Sequence, residues 1–118
     1  MRDFRKFDIW NLGIEIAKDI YSITSKFPKS ELYGITSQLN RAGVSIPSNI
    51  AEGASRTSEK DFKRFLEIAL GSCYEVETQL IIAFEQDYIS EEYLKIISKI
   101  QTEEKRITSL INKISNSN

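Results

Sequence analysis

Apolar residues recur along this chain at steps of three and four almost from end to end, which is the period of amphipathic helices and not the alternation of strands. Start and stop residues divide the pattern into four runs. The first covers residues 9–26, with Asp8 as N-cap, the stripe Leu12, Ile16, Ile20, Ile23 and Phe27, and Pro28 as its end. The second covers residues 31–53, capped by Ser30, with Leu32, Ile35, Leu39, Ala42, Ile46 and Ile50 inward and Gly53 as its stop. The third runs from Ser58 to residue 86. Ser58 and Asp61 make a variant of the capping box, and Phe62, Leu66, Ala69, Cys73, Val76, Leu80 and Ala83 alternate the steps that bundle packing requires. The fourth follows Ser90, with Glu91 and Glu92 in its first turn and the stripe Tyr93, Ile97, Ile100, Glu104, Ile107, Ile111 and Ile114, interrupted by Glu104 alone. Residues 115–118 are expected to fray. Short links place consecutive helices antiparallel, so the predicted fold is all-α: one domain, residues 1–118, forming an up-down four-helix bundle.

The second run breaks a local rule. Pro47 lies inside it, where proline costs about 3 kcal/mol through a lost hydrogen bond and a clash with the carbonyl four residues back. That carbonyl belongs to Gly43, which has no side chain to restrict the shift that relieves the clash, so the helix is expected to kink at Pro47. Arg41, Ser45, Ser48, Asn49 and Glu52 are expected to form a hydrogen-bonded cluster around the kink. Gly34, Gly43, Ser45, Gly71 and Ser72 are small enough to let helices approach closely.

Some helices carry more apolar surface than one interior needs. The first adds Ile9, Trp10, Ile14 and Tyr21 beside its stripe, and the third adds Phe65, Ile68 and Ile82. Such residues either thicken the core or mark a subunit interface, and the second reading is preferred because large exposed apolar patches are uncommon on monomers.

Composition narrows the function classes. A chain of 118 residues, 41% hydrophobic, fits one domain that buries roughly two thirds of its unfolded surface. Its formal charge of -1, from 16 basic and 17 acidic residues, excludes a generally cationic nucleic-acid coat. Charge placement says more. No lysine or arginine lies between Arg64 and Lys95, while Glu67, Glu75, Glu77, Glu85, Asp87, Glu91 and Glu92 all do, making one pole of an up-down bundle acidic. The opposite pole gathers Arg2, Arg5, Lys6, Arg56, Lys60, Lys63, Arg64, Lys105, Arg106 and Lys113. Lys60, Lys63 and Arg64 share one helical face just after Arg56, near a helix N-terminus where the dipole disfavours cations. These four are the candidate contact for RNA or DNA phosphates or for an acidic partner surface. The competing reading is a solvated face partly neutralised by Glu52, Glu59 and Asp61.

Enzyme chemistry finds little support. The chain has no histidine, which removes a Ser-His-Asp triad, a Glu-x-x-His di-metal centre and a histidine-based RNase site. Glu75 and Glu77 are two apart and point to different faces, and Cys73 falls on the core stripe, where it acts as a small hydrophobe. There is no glycine-rich phosphate loop. No catalytic residue, cofactor or metal is expected. A single cysteine cannot close an internal disulfide, and no signal segment or 18-residue apolar run is present, so a soluble protein of a reducing compartment, with no membrane partner, is expected.

Residues 33–53, centred on Ser45-Ile46-Pro47-Ser48-Asn49-Ile50-Ala51-Glu52-Gly53, resemble the signature of the 23S rRNA intervening-sequence protein family, also called four-helix bundle proteins. Trp10, Ala17, Phe27-Pro28, and Gly71-Ser72 followed by Glu75, Glu77, Gln79 and Leu80 extend the resemblance to about Tyr88; the fourth helix matches only in being helical. Asn40 and Gly43 stand where that family more usually has arginine and alanine. The resemblance implies a non-enzymatic antiparallel bundle assembled as a ring, typically a homopentamer, in the bacterial cytoplasm. It also implies kinship with the accessory variability determinant of diversity-generating retroelements, a basic pentamer that works with a reverse transcriptase and nucleic acid. Arg41, Gly43, Pro47, Asn49, Glu52 and Gly53 are then expected to hold the bundle or ring together. The expected function is a homo-oligomeric bundle presenting its basic pole to RNA, DNA or a nucleic-acid-processing partner. The alternative is a protein–protein adaptor ring without nucleic acid.

Overall fold

All four periodic segments fold as helices in the computed structural model, which describes residues 2–117: α1 (Asp8–Thr24), α2 (Ile35–Ala54), α3 (Glu59–Glu85) and α4 (Tyr93–Asn116). Short 3-10 turns at Phe4–Lys6 and Lys29–Glu31 precede α1 and α2, and no strand forms among the described residues. α1 packs on α2 and α4, and α3 packs on the same two helices from the other side, an arrangement compatible with a bundle. The result is a rod of 47 × 22 × 20 Å. No helix among the described residues is long and apolar enough to cross a membrane.

The third helix follows its stripe closely: Phe62, Leu66, Ala69, Cys73, Val76, Leu80 and Ala83 are all buried. Its N-terminus is fixed by Ser58, whose hydroxyl accepts a hydrogen bond from the Asp61 amide at 3.0 Å. At the other end Asp87 takes a left-handed conformation (φ 62°), the Asp87 amide bonds the Phe84 carbonyl and the Tyr88 amide reaches back to Ala83. This pair of bonds satisfies carbonyls that a helix end leaves orphaned.

Elsewhere the boundaries and stripes depart from expectation. Asp8 is the first helical residue of α1 and not its cap; Phe7 occupies the cap position with no side-chain bond, while Asn11 donates back to the Phe7 carbonyl at 2.9 Å. Ser30 lies in the 3-10 turn, α2 starts four residues later than predicted, and Leu32 is 53% exposed instead of facing inward. Glu31 is drawn away from a helical start by the Tyr88 hydroxyl, which donates to its carboxylate at 2.7 Å. On α4 the buried positions are Ile96, Ile100, Glu103, Ile107 and Ile114, so Glu103 and not Glu104 interrupts the interior. The chain end holds its helix to Asn116, where the Ser117 hydroxyl donates to the Ile114 carbonyl; Asn118 lies outside the described residues.

Pro47 sits buried within an uninterrupted α2. At the nearby Gly43 a side chain would meet Ile20 of α1 at 3.3 Å. Three of the five candidate cluster residues keep separate company. Asn49 donates to both the carbonyl and the hydroxyl of Ser45 at 2.8 Å, and the Ser45 and Ser72 hydroxyls lie 2.8 Å apart, tying α2 to α3. Arg41 and Ser48 are exposed and outside this chain of bonds, and Glu52 turns instead toward Arg56.

Candidate interaction surface at the basic end of the bundle

The basic segment follows from how α2 ends and α3 begins. The two helices approach closely at Gly53, where an added Cβ would lie 2.7 Å from Phe65 Cβ and 3.1 Å from Phe62 Cδ1. That approach buries Phe62 and Phe65, and their ring faces become a platform for guanidinium groups. Arg56 and Arg64 lie over the Phe65 ring at 4.8 and 4.5 Å from its centroid, and Arg2 lies over Phe62 at 4.3 Å. Such cation–ring contacts orient arginine and give it weak attraction at an exposed site.

The arginines are also paired. Arg56 Nη2 donates to Glu52 Oε1 at 3.0 Å, Arg64 Nε approaches Asp61 Oδ1 at 3.7 Å, and Arg2 pairs with Glu59. Arg2 further donates to the Arg56 carbonyl at 2.6 Å, so the N-terminal segment is pinned across the α2–α3 link. Lys60 is exposed, Lys63 half-buried, and neither has an ion-pair partner among the described residues. The four predicted contact residues therefore divide: Arg56 and Arg64 are stacked and neutralised, while Lys60 and Lys63 carry the uncompensated charge. Sequence spacing identified the four but missed Arg2, Phe62 and Phe65 as their supports, because Arg2 and Arg56 reach the two rings from outside α3.

A second, unforeseen constellation lies inside the rod. Glu103 is fully buried, and neither of its carboxyl oxygens has a hydrogen-bond partner among the described protein groups. Burial pushes its pKa up to about 8, against a small opposing pull from Arg106. Glu104, half-buried, is raised to about 7 by burial and then by the neighbouring Glu77 carboxylate. Burial, reinforced by those three carboxylates, drives the Cys73 thiol well above its ordinary range, the opposite of what a nucleophile requires. Among the described residues no group of three or more acidic or cysteine side chains is arranged to hold a metal ion.

The surface along α1 and α4 is of another kind. Lys99 donates to Glu15 and Asp19, both at 2.7 Å, Lys26 approaches Glu92 at 3.6 Å, and Arg106 approaches Asp8 at 3.8 Å. Exposed apolar side chains lie on the other helix faces: Ile14 and Tyr21 on α1, Val44 on α2, Ile68, Tyr74, Ile81 and Ile82 on α3, and Leu94 on α4. Gly71, on the outer side of α3, has open space around it.

Comparison with known proteins gives the fold a family. The family model of the 23S rRNA-intervening sequence protein matches residues 5–110. This chain belongs to that family. The match runs into α4, beyond the segment ending near Tyr88 that carried the resemblance. A crystal structure of a protein of unknown function from the S23 ribosomal protein family of Bacteroides thetaiotaomicron VPI-5482 superposes with a TM-score of 0.81 at 27% identity, covering 88% of this chain and 95% of that one. No curated protein matches the chain. The family assignment thus covers α1 to α3, with Arg56, Lys60, Lys63 and Arg64, and most of α4, including Glu103.

Proposed function

We propose that this family member is a non-enzymatic, homo-oligomeric bundle protein of the cytoplasm that offers Arg56, Lys60, Lys63 and Arg64 to RNA, DNA or a nucleic-acid-processing partner. The observation that carries the reading is the pair Lys60 and Lys63, cations without carboxylate partners among the described residues, at the start of a helix, where the dipole works against them. Cations held there are explained by an external anion better than by local stability. The absence of histidine supports the non-enzymatic part. Contacts that step backward along the partner helix support an antiparallel, up-down bundle: Asp8 with Arg106, Asp19 with Lys99, Lys26 with Glu92, and Gln38 with Gln79, Ser45 with Ser72. A bend at Pro47 belongs to the same reading.

Self-association is supported by the exposed Ile14, Tyr21, Val44, Ile68 and Ile82, which one interior does not absorb. A pentameric ring, and kinship with the accessory variability determinant of retroelements, rest on the resemblance. Sedimentation velocity at micromolar concentration tests assembly, and a clean monomer would sink it. A mobility-shift series with RNA over rising salt tests the basic end: Lys60→Glu with Lys63→Glu is expected to weaken binding and flatten its salt dependence. Binding that ignores both changes overturns the phosphate contact.

The second reading, an adaptor ring that binds one protein and no nucleic acid, is favoured by a different observation. Three of the arginines at this end already face Glu52, Glu59 and Asp61. Co-purification of a single protein that survives high salt, without RNA binding, is the outcome that selects it.

A further inference from the structure

We propose that Glu103 is a proton-binding site: the folded bundle holds its carboxyl as the neutral acid, and loss of that proton loosens the packing of α4 against α1. Glu103 is among the largest fully buried side chains of the chain, at a position where α4 should present an isoleucine, between Ile100 and Ile107. Its carboxyl enters the space left by the missing side chain of Gly13 on α1: a Cβ there would lie 3.2 Å from Glu103 Oε2, 3.3 Å from Pro47 Cβ and 3.4 Å from Ile46 Cγ2. The immediate walls are thus a glycine backbone, a proline and an isoleucine.

Among the surrounding charges only Arg106 favours a carboxylate there, and burial outweighs it. From α1 the nearby titratable group is Asp8, a like charge. From α4 itself it is Arg106, one turn away, which approaches Asp8 at 3.8 Å instead of Glu103. From α3 it is Cys73, buried beside the Glu77 and Glu104 carboxylates. From α2 the facing residues are Ile46 and Pro47, which carry no charge. An ionised carboxyl with no hydrogen bond in such surroundings is unfavourable enough that the group keeps its proton instead.

The sign follows from linkage. A carboxyl with a raised native pKa binds more protons in the folded than in the unfolded state between the two values, so folding stability falls as pH rises through that window. With a native value of about 8 against an ordinary 4.5, the penalty is absent in acid, grows through neutrality and levels off above about pH 8. The unfolding equilibrium constant is expected to rise by on the order of a hundredfold between about pH 5 and pH 8 from this group alone.

Urea titrations of the full chain and of Glu103→Gln across that range provide the test. The glutamine is nearly isosteric and cannot ionise, and the other carboxyls contribute to both curves, so the difference between them isolates Glu103. The stability of the variant relative to wild type is expected to grow with pH by that factor; parallel curves overturn the proposal. A 13C-NMR titration of the Glu103 side-chain carbonyl in the wild-type chain stands independently of whether the variant folds. A midpoint near the ordinary glutamate value overturns the proton site. Amide exchange at about pH 8.5, compared with Glu103→Gln at the same pH, tests the loosening. Faster exchange concentrated in α4 is expected, and equal exchange in the two proteins overturns that half.

Discussion

Glycine-to-alanine changes at two positions should move stability in opposite directions, because the same methyl group meets backbone at one site and open space at the other. At Gly53 the new Cβ would sit 2.7 Å from Phe65 Cβ, 3.1 Å from Phe62 Cδ1 and 3.3 Å from the Phe62 carbonyl oxygen. Carbon atoms in ordinary contact stand about 3.5–4.0 Å apart, so the end of α2 and the start of α3 must separate by roughly an ångström. Two of the three obstructing atoms cannot swing aside, since one is a Cβ and the other belongs to the main chain. Overpacking of this kind costs about 1–3 kcal/mol, and alanine's better helix propensity returns about 1 kcal/mol at most. Gly53→Ala is therefore expected to lose about 1–2 kcal/mol and to melt about 4–8 °C lower. At Gly71 nothing lies within 4 Å, so the propensity gain stands alone and Gly71→Ala is expected to gain up to about 1 kcal/mol. Urea titrations at one fixed protein concentration provide the measurement, since assembly makes apparent stability concentration-dependent. A Gly53→Ala protein as stable as wild type would refute the close approach that sets the Phe62–Phe65 platform. Failure of Gly71→Ala to gain stability would indicate that the outer side of α3 is covered in solution.

Three further outcomes are expected. Asp87→Gly should stabilise by about 0.5–1 kcal/mol, because an L-residue is strained at the left-handed position that closes α3; an unchanged or lower melting temperature argues against that closure. Cys73, fully buried and with its thiol pushed up, should resist a thiol reagent in the native chain and react fully in urea, and prompt native labelling contradicts its place in the core. Ser72→Ala removes the partner of the Ser45 hydroxyl and should lose about 1 kcal/mol in a urea titration, whereas no loss means that Asn49 alone satisfies Ser45.

Legibility varied with how many constraints a position satisfied at once. α3 could be read residue by residue: its cap, its seven-member stripe and its burial all depend on local bonding and on one unambiguous periodicity. The start of α2 could not. Ser30 and Glu31 make a good local signal for a helix, yet Tyr88, 57 residues away, claims the Glu31 carboxylate and the chain makes a turn there first. The basic segment and its neighbours Glu52 and Asp61 were visible as local spacing, but the seating of Arg56 on Phe65 and the pairing of Arg2 with Glu59 cross from one element to another and are supplied by the fold.

What the sequence by itself determined is the class of structure and the family: helical periodicity is a local property of the backbone, and residues 33–53 carry a distinctive order of side chains. What only the tertiary structure decided is the rotation of each helix about its axis. On α4 two stripes share Ile100, Ile107 and Ile114; one adds Tyr93, Ile97, Glu104 and Ile111, the other Ile96 and Glu103. Periodicity is equally satisfied by both. The choice between them is made by the space available on α1, where Gly13 leaves room for one long side chain, and that space admits the Glu103 carboxyl into the core.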